Sequence, residues 1–119
     1  MEYSEEVRRR FEAAHADPAP VDEPAGMAED RALGVWVRCQ VRVNDHLIDR
    51  VHFQVFGCPH TIAAAFLLAE LLEGRPITAL RSEWARRLAE QLRVPEDKIG
   101  RLLVLEDALM ACAERIEQG

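Results

Sequence analysis

Two stretches near the middle of the chain alternate between apolar and polar residues. Residues 35–43 place valines and a cysteine on one face, and residues 51–56 place two valines and a phenylalanine on one face. A period of two with one apolar face is typical of antiparallel strands whose sheet is covered on one side. Residues 44–46, Asn-Asp-His, are turn formers, so a hairpin over 35–56 is predicted. His52 would then face solvent on the outer side of this hairpin.

After the hairpin, apolar residues recur every three or four positions, which is typical of amphipathic helices. We predict three helices within residues 59–118: one over about 59–73 ended by Gly74, one capped by Ser82, and one starting near Pro95. The positions predicted to be buried are Ile62, Ala63, Phe66, Leu67 and Leu71 in the first helix, Trp84, Leu88 and Leu92 in the second, and Ile99, Leu102, Leu103, Leu109, Met110, Ala113 and Ile116 in the third.

The first thirty residues have a weaker pattern. Ser4 can cap a short helix over residues 1–12, with acidic residues in its first turn. Residues 16–31 contain three prolines and five acidic residues, so we predict a mobile acidic loop and leave open whether it folds back along the sheet edge. Strands followed by helices predict one α+β domain over 1–119, in which helices cover a small antiparallel sheet.

Composition narrows the function classes. The chain has 119 residues, which is the size of one domain, and its net charge of −6 opposes binding to a nucleic-acid backbone. Its apolar stretches are too short to span a bilayer. Three cysteines at wide spacing do not form a disulfide framework, so we expect a protein of the reducing cytoplasm.

Cys58 is the residue with the clearest chemical signal. Gly57 before it permits a tight turn, and Pro59 after it suits the first position of a helix. Cys58 is therefore predicted at the helix N-cap, where the positive end of the helix dipole favours a thiolate. A thiolate accepts sulfur or binds metal, although Cys58 could instead be a small residue filling the turn. Cys39 and Cys112 are predicted to be packing residues.

Five segments occur in a recognisable order. Residues 3–7 read Tyr-Ser-Glu-Glu-Val, residues 32–35 Ala-Leu-Gly-Val, residues 51–58 end in Phe-Gly-Cys, residues 92–99 contain Val-Pro-Glu-Asp-Lys, and residues 105–109 read Leu-Glu-Asp-Ala-Leu. This order resembles the IscU/NifU-type iron–sulfur cluster scaffold family, which has an opening helix, an A-C-G-D loop, a strand ending in Y-G-C, an L-P-P-V-K-type segment and an A-E-D-A-[IL] run. The resemblance covers nearly the whole chain and implies the scaffold fold.

The chain departs from this family at its cluster ligands. The resemblance places Leu33 at the first cysteine position, Val35 at the aspartate position, and Gly100 and Arg101 at the histidine and third cysteine positions. Leucine, valine and glycine side chains offer no lone pair to a metal, and arginine stays protonated. Only Cys58 remains of the three cysteines, so one chain lacks the roughly four donors that a zinc or iron site needs.

The resemblance implies iron–sulfur cluster biogenesis with Cys58 as the acting thiol. Cys58 would accept a persulfide from a cysteine desulfurase, or ligate iron or a cluster shared between two chains of a homodimer. Arg101 is expected near Cys58, where it would support the thiolate, and His60 is a candidate proton-transfer partner or extra ligand. Both could equally be plain surface residues. The protein would be a scaffold, sulfur carrier or adaptor rather than an enzyme.

Two other functions remain open. The chain could be a pseudo-scaffold that binds no metal and docks a desulfurase or another assembly factor, or a zinc-dependent sulfurtransferase whose only donors would be Cys58 and perhaps His60. The family's chaperone-recognition segment corresponds to Val94, Pro95 and Lys98, which would contact an Hsp70-type chaperone. The two acids inside that segment indicate a helix start as an alternative.

Overall fold

The structure is a computed structural model that describes residues 24–118. The helix predicted over 1–12 and the first part of the predicted acidic loop lie outside these residues. The described chain begins with a three-stranded antiparallel sheet in the order β1 (Ala25–Asp30), β2 (Val35–Asn44) and β3 (Leu47–Phe56). The α+β class and the sheet with helices that follow it confirm the predicted architecture.

The hairpin predicted over 35–56 is confirmed as β2 and β3. Asp45 and His46 connect the strands, with φ angles of 53° and 64°. Two successive residues with positive φ form the type of two-residue turn whose twist matches that of paired antiparallel strands. The register shifts by one residue between Arg42 and Val43, close to this turn.

Of the two possibilities left open for residues 16–31, Ala25–Asp30 fold back along the sheet and form strand β1 rather than a mobile loop. This segment pairs with β2 in continuous register, from Ala25 opposite Gln40 to Asp30 opposite Val35. Its sequence, Ala-Gly-Met-Ala-Glu-Asp, has neither the alternation nor the β-branched residues that predict a strand. The strand forms because the central strand offers unpaired backbone groups and the following helices pack behind it.

Three α-helices follow the sheet: α1 (Pro59–Leu72), α2 (Ala85–Leu92) and α3 (Ile99–Gln118), with 3-10 turns at Ile77–Arg81 and Glu96–Lys98. Ser82 ends the first 3-10 turn, so its predicted role as the cap of α2 is wrong, and Trp84 occupies the N-cap. The third helix begins at Ile99 because the residues after Pro95 form the second 3-10 turn.

The helices pack on the sheet face formed by Val35, Val37, Cys39 and Val41. Helix α3 packs against β1 and β2, while α1 packs against β3. The predicted core positions Trp84, Leu88, Leu92, Leu102 and Leu109 are buried. In α1, however, Ile62, Phe66 and Leu71 are only half-buried, and the helix instead buries Ala64, Ala65, Leu68 and Leu72 beside the predicted Ala63 and Leu67. Ile99 and Ile116 of α3 are half-buried as well.

The buried stripe of α3 differs from the prediction in two positions. Leu103 and Met110 are 49% and 39% exposed, whereas Leu105, Ala108 and Cys112 are buried. The reason is that α3 lies between the sheet and α2, so its buried arc follows these two neighbours. Among the described residues, no helix combines the length and apolarity that a bilayer crossing requires.

One residue of the outer sheet face also departs from its prediction. His52 is only 8% exposed and lies opposite the buried Gln40, so the expectation of a solvated His52 is wrong.

Candidate functional site

Cys58 lies between the end of β3 and the first residue of α1. It is the N-cap of α1, with φ −80° and ψ 165°, and Pro59 is the first helical residue. Its side chain is half-buried. The predicted position of this thiol at a helix N-terminus is therefore confirmed, and it remains open to a reagent from solvent.

Thr61 holds the sulfur of Cys58 from inside the first turn. The Sγ atom of Cys58 lies 3.4 Å from Oγ1 of Thr61, within hydrogen-bonding range for sulfur. Thr61 is fully buried, and a Cβ built on Gly57 would lie 3.4 Å from its Cβ. Gly57 thus packs over Thr61 and leaves room for the hydroxyl beside the sulfur.

The pKa of Cys58 is lowered from its usual value. Burial by itself would raise this pKa, but the hydrogen bond to Thr61, the backbone amides of Thr61 and His60, and the charge of Lys98 together outweigh it. The sulfur makes no capping hydrogen bond to these amides, so their effect is that of dipoles aligned toward the negative charge. The thiolate therefore forms at a lower pH than in a free cysteine.

The cations of the site come from the start of α3 and the turn before it. The charge of Lys98 acts on both Cys58 and His60, whereas the charge of Arg101 acts on His60. Support of the thiolate by Arg101 stays a prediction. The structure brings Cys58, His60, Lys98 and Arg101 into one region where the N-termini of α1 and α3 meet.

His60 is buried, at 4% exposure, rather than on the surface. Burial lowers the pKa of its imidazole, and the positive charges of Lys98 and Arg101 lower it further, against a smaller opposing effect of Asp97. His60 is therefore a neutral imidazole at pH 7, with a lone pair that can accept a proton.

Two of the positions at which the resemblance places family ligands, Leu33 and Gly100, lie together in an apolar contact. A Cβ built on Gly100 would lie 3.6 Å from Cδ1 of Leu33. The backbone nitrogen of Leu33 donates to Oδ1 of Asp30 at 3.1 Å, which orders the loop, and Val35 is buried in the core. Residues 24–118 contain no group of three or more His, Cys, Asp or Glu side chains able to hold a metal. The donors in this part of one chain therefore do not fit a zinc ion or an iron–sulfur cluster.

The other sequence-predicted residues lie apart from this region or only partly in it. Cys39 and Cys112 are buried in the core, as predicted. Of the three residues proposed to contact a chaperone, Val94 is buried, Pro95 is exposed and Lys98 is half-buried.

Sequence reasoning missed Thr61 and the action of Lys98 on the thiol. Thr61 follows the N-cap by three residues, the spacing at which a side chain can reach back to the cap, so local sequence contained a signal for it. The effect of Lys98 depends on the packing of α3 beside α1, for which no local signal exists.

Comparison with known proteins agrees with the α+β fold described above. The profile of the NifU-like N terminal domain matches residues 2–118. The chain belongs to the NifU-like N-terminal domain family. The iron–sulfur cluster assembly scaffold protein IscU of Azotobacter vinelandii is 30% identical over 116 residues, covering 93% of this NifU-like chain and 91% of that protein. IscU of Escherichia coli K12 is 29% identical over the same coverage.

Solved structures confirm the fold of this NifU-like domain. The N-terminal part of a nitrogen-fixing NifU-like protein from Brucella abortus superimposes with a TM-score of 0.69 at 18% identity, covering 97% of this chain and 94% of that one. A protein provisionally described as an iron–sulfur cluster assembly scaffold for the SUF system, from Fervidobacterium islandicum AW-1, gives a TM-score of 0.72 at 13% identity, covering 92% and 96%. At these identities the likeness concerns the fold alone.

Proposed function

We propose that this NifU-like protein is an accessory factor of iron–sulfur cluster biogenesis that accepts sulfur on Cys58 from a cysteine desulfurase. The observation that supports this most directly is a half-buried thiol with a lowered pKa, held at the N-terminus of α1 within a frame whose other family ligand positions have no donor atoms. We expect it to act in the cytoplasm, as a sulfur carrier rather than an enzyme.

The transfer is a thiol–persulfide exchange. The thiolate of Cys58 attacks the outer sulfur of the desulfurase's cysteine persulfide. A new S–S bond forms to Cys58 while the S–S bond of the donor breaks, and the electron pair leaves with the donor cysteine as a thiolate. One negative charge enters and one leaves, so no external oxidant or reductant is needed.

The residues around Cys58 have separate parts in this proposal. Thr61 donates its hydroxyl hydrogen to the thiolate and keeps the sulfur oriented. Lys98 offsets the negative charge before and after transfer. His60, neutral at pH 7, is the base that takes the proton when Cys58 or its persulfide ionises, and Arg101 helps to keep His60 neutral.

Phe56 marks where the sulfur donor would dock. It is 75% exposed, although phenylalanine is usually buried, and it precedes Cys58 by two residues at the end of β3. Because aromatic side chains contribute strongly to interfaces, Phe56 is suited to contact a protein that delivers sulfur to the neighbouring thiol.

An iron–sulfur cluster would be a transferred product rather than a resident cofactor, and the described residues of one chain lack the donors to bind it. If two chains joined at Cys58, the donors beyond the two thiolates would have to come from small thiols or from a partner protein.

The Leu33–Gly100 contact favours a second candidate function, a metal-free adaptor that docks a desulfurase or another assembly factor. A zinc site has still less support, since its donors would be Cys58 and His60 alone.

The test is to incubate the full chain with a cysteine desulfurase and cysteine, and to measure sulfur addition by intact-mass spectrometry. We expect one added sulfur on the wild-type chain, located at Cys58, and none on Cys58→Ala. A matched control, Cys39→Ala, should still gain the sulfur because Cys39 is buried. Binding of the desulfurase by both the wild type and Cys58→Ala without any sulfur adduct would replace sulfur transfer with the adaptor function.

A further inference from the structure

Two cysteines that the proposed sulfur transfer does not use lie against each other in the core. Cys39 belongs to the central strand β2 and Cys112 to helix α3, and both are 0% exposed. Gly26 of strand β1 contacts both residues, so they are neighbours in the core, and both thiols are free rather than joined in a disulfide. Two buried neighbouring thiols are the arrangement from which an intramolecular disulfide can form.

Gly26 brings the two cysteines together. Gly26 is the β1 partner of Cys39, and the Cβ positions of such cross-strand partners lie about 4.5–5.5 Å apart on the same face. A Cβ built on Gly26 would overlap the backbone nitrogen of Cys112. The backbone of α3 at Cys112 therefore passes directly over the strand pair. A disulfide needs Cβ atoms about 3.5–4.5 Å apart, which this close approach favours.

The surroundings of Cys112 are polar although they are buried. Its Sγ donates a hydrogen bond of 3.5 Å to the carbonyl of Pro24, and the same carbonyl accepts a hydrogen bond of 3.2 Å from the backbone nitrogen of Val41. The sulfur thus lies at the end of the β1–β2 ladder, beside the backbone of Pro24 and Val41.

The two thiols consequently differ in acidity. The hydrogen bond from Cys39 lowers the pKa of Cys112 more than burial raises it, and the backbone of Val41 and Gly26 and the charge of Arg115 lower it further. The same hydrogen bond, together with burial, raises the pKa of Cys39. Cys112 is therefore the thiol that ionises first and the one that meets an oxidant as a nucleophile.

We propose that Cys39 and Cys112 are a redox modification site that forms a reversible disulfide on reaction with a peroxide. The Cys112 thiolate attacks one peroxide oxygen, the O–O bond breaks, and Cys112 becomes a sulfenic acid while hydroxide leaves. Cys39 loses its proton to that hydroxide and attacks the sulfenic sulfur, so an S–S bond forms as the S–O bond breaks. In total two thiols and one hydrogen peroxide give one disulfide and two waters.

Strand β1 controls the access of oxidant to this pair. Both cysteines are fully buried, and among the strands of residues 24–118 β1 lies at the edge, with hydrogen bonds to β2 alone. Edge elements open locally at lower free energy than a central strand does. Oxidation should therefore be slow in buffer and faster in a urea concentration that loosens β1 but lies below the unfolding transition. The disulfide would then join the central strand to α3 and resist unfolding.

The experiment uses the full chain with Cys58→Ser, which removes the half-buried thiol that solvent reaches and with it disulfides between chains. The protein is treated with hydrogen peroxide in such a urea concentration, blocked with iodoacetamide, digested with trypsin without reduction, and analysed by mass spectrometry. We expect peptides 39–42 and 102–115 to appear as one cross-linked species lacking two hydrogens, and to separate on reduction. The midpoint of thermal unfolding should rise on oxidation and return on reduction.

Single variants supply the control. With Cys39→Ala or Cys112→Ala in the same background, peroxide should produce no cross-link and no rise in the unfolding midpoint. Sulfinic acid on either cysteine without a cross-link, or no reaction below the unfolding transition, would overturn the proposal. If a single variant does not fold, as judged by circular dichroism, the peptide map of the chain with both cysteines decides alone. None of these readouts depends on sulfur transfer to Cys58.

Discussion

Leu33 lies against Gly100, and these are two positions to which the resemblance assigns a cysteine and a histidine of the scaffold family. A Cβ built on Gly100 would lie 3.6 Å from Cδ1 of Leu33, so the fold still brings these positions together and fills the space between them with carbon. Two of the positions that the resemblance assigns to ligands are therefore neighbours without donor atoms, and restoring thiols tests whether they form a site with Cys58.

The first prediction restores thiols at two of the lost positions. A variant with Leu33→Cys and Arg101→Cys, in addition to the native Cys58, should bind iron and sulfide during anaerobic reconstitution, because three thiolates then converge on one region. Absorbance of the purified product and iron analysis measure the outcome. Adding Cys58→Ser should abolish most of the bound iron. A colourless three-cysteine variant that is folded would show that the positions do not converge closely enough.

The second prediction concerns the hydroxyl of Thr61. The pKa of Cys58 in the folded protein is lowered, so ionisation of the thiol is largely complete at the pKa of an unfolded cysteine. The thiolate is lost as the pH falls through the lowered value. Thr61→Val keeps the size of the side chain but removes the hydrogen bond, so the pH profile of Cys58 alkylation should move to higher pH and the rate at pH 7 should fall severalfold. Thr61→Ser keeps the hydroxyl and should preserve the wild-type profile. Equal profiles for the valine and serine variants would remove this role.

The third prediction concerns the charge of Lys98. Lys98→Gln should move the alkylation profile of Cys58 to higher pH, because the lysine ammonium favours the thiolate. Lys98→Arg keeps the charge and should leave the profile close to that of the wild type. Raising the salt concentration should narrow the difference between Lys98→Gln and the wild type, since ions screen a partly exposed charge. A difference that does not change with salt would point to a structural effect.

The fourth prediction concerns the close approach of β1 and α3. Gly26→Ala should lower the free energy of unfolding by about 1–3 kcal/mol or more, because the added methyl overlaps the backbone of Cys112 and cannot move aside. Gly100→Ala is the matched control, since its methyl finds room beside Leu33 within a helix. There the substitution should stabilise by about 0.5–1 kcal/mol. Urea denaturation measures both, and a Gly26→Ala variant as stable as the wild type would contradict the packing described.

The fifth prediction concerns the exposed Phe56. Under the proposed function, Phe56→Ser should slow sulfur transfer from the desulfurase severalfold while leaving the alkylation of Cys58 by a small reagent unchanged, because only the protein donor needs the aromatic contact. Met110→Ser, an exposed position far along α3, should have no effect on either rate. Equal transfer rates for the two variants would place the docking contact elsewhere.

The amino-acid sequence by itself determined the elements whose signals are local. Alternation over 35–43 and 51–56 predicted β2 and β3, and the run Gly57-Cys58-Pro59 predicted a thiol at the N-cap of α1. Each of these signals lies within one element and reflects which side of that element is buried. The helix stripes were predicted less well, because Leu103 and Met110 depend on where the sheet and α2 lie around α3.

The tertiary structure alone decided the features that depend on residues far apart in the chain. Strand β1 has no strand signal of its own and exists because β2 supplies hydrogen-bond partners and α3 packs on Gly26. Lys98 acts on Cys58 because the start of α3 packs near the start of α1. Cys112 lies near Cys39 because α3 packs on β1 and β2. Local sequence cannot specify such contacts, since their energy arises only when two distant segments are already packed together.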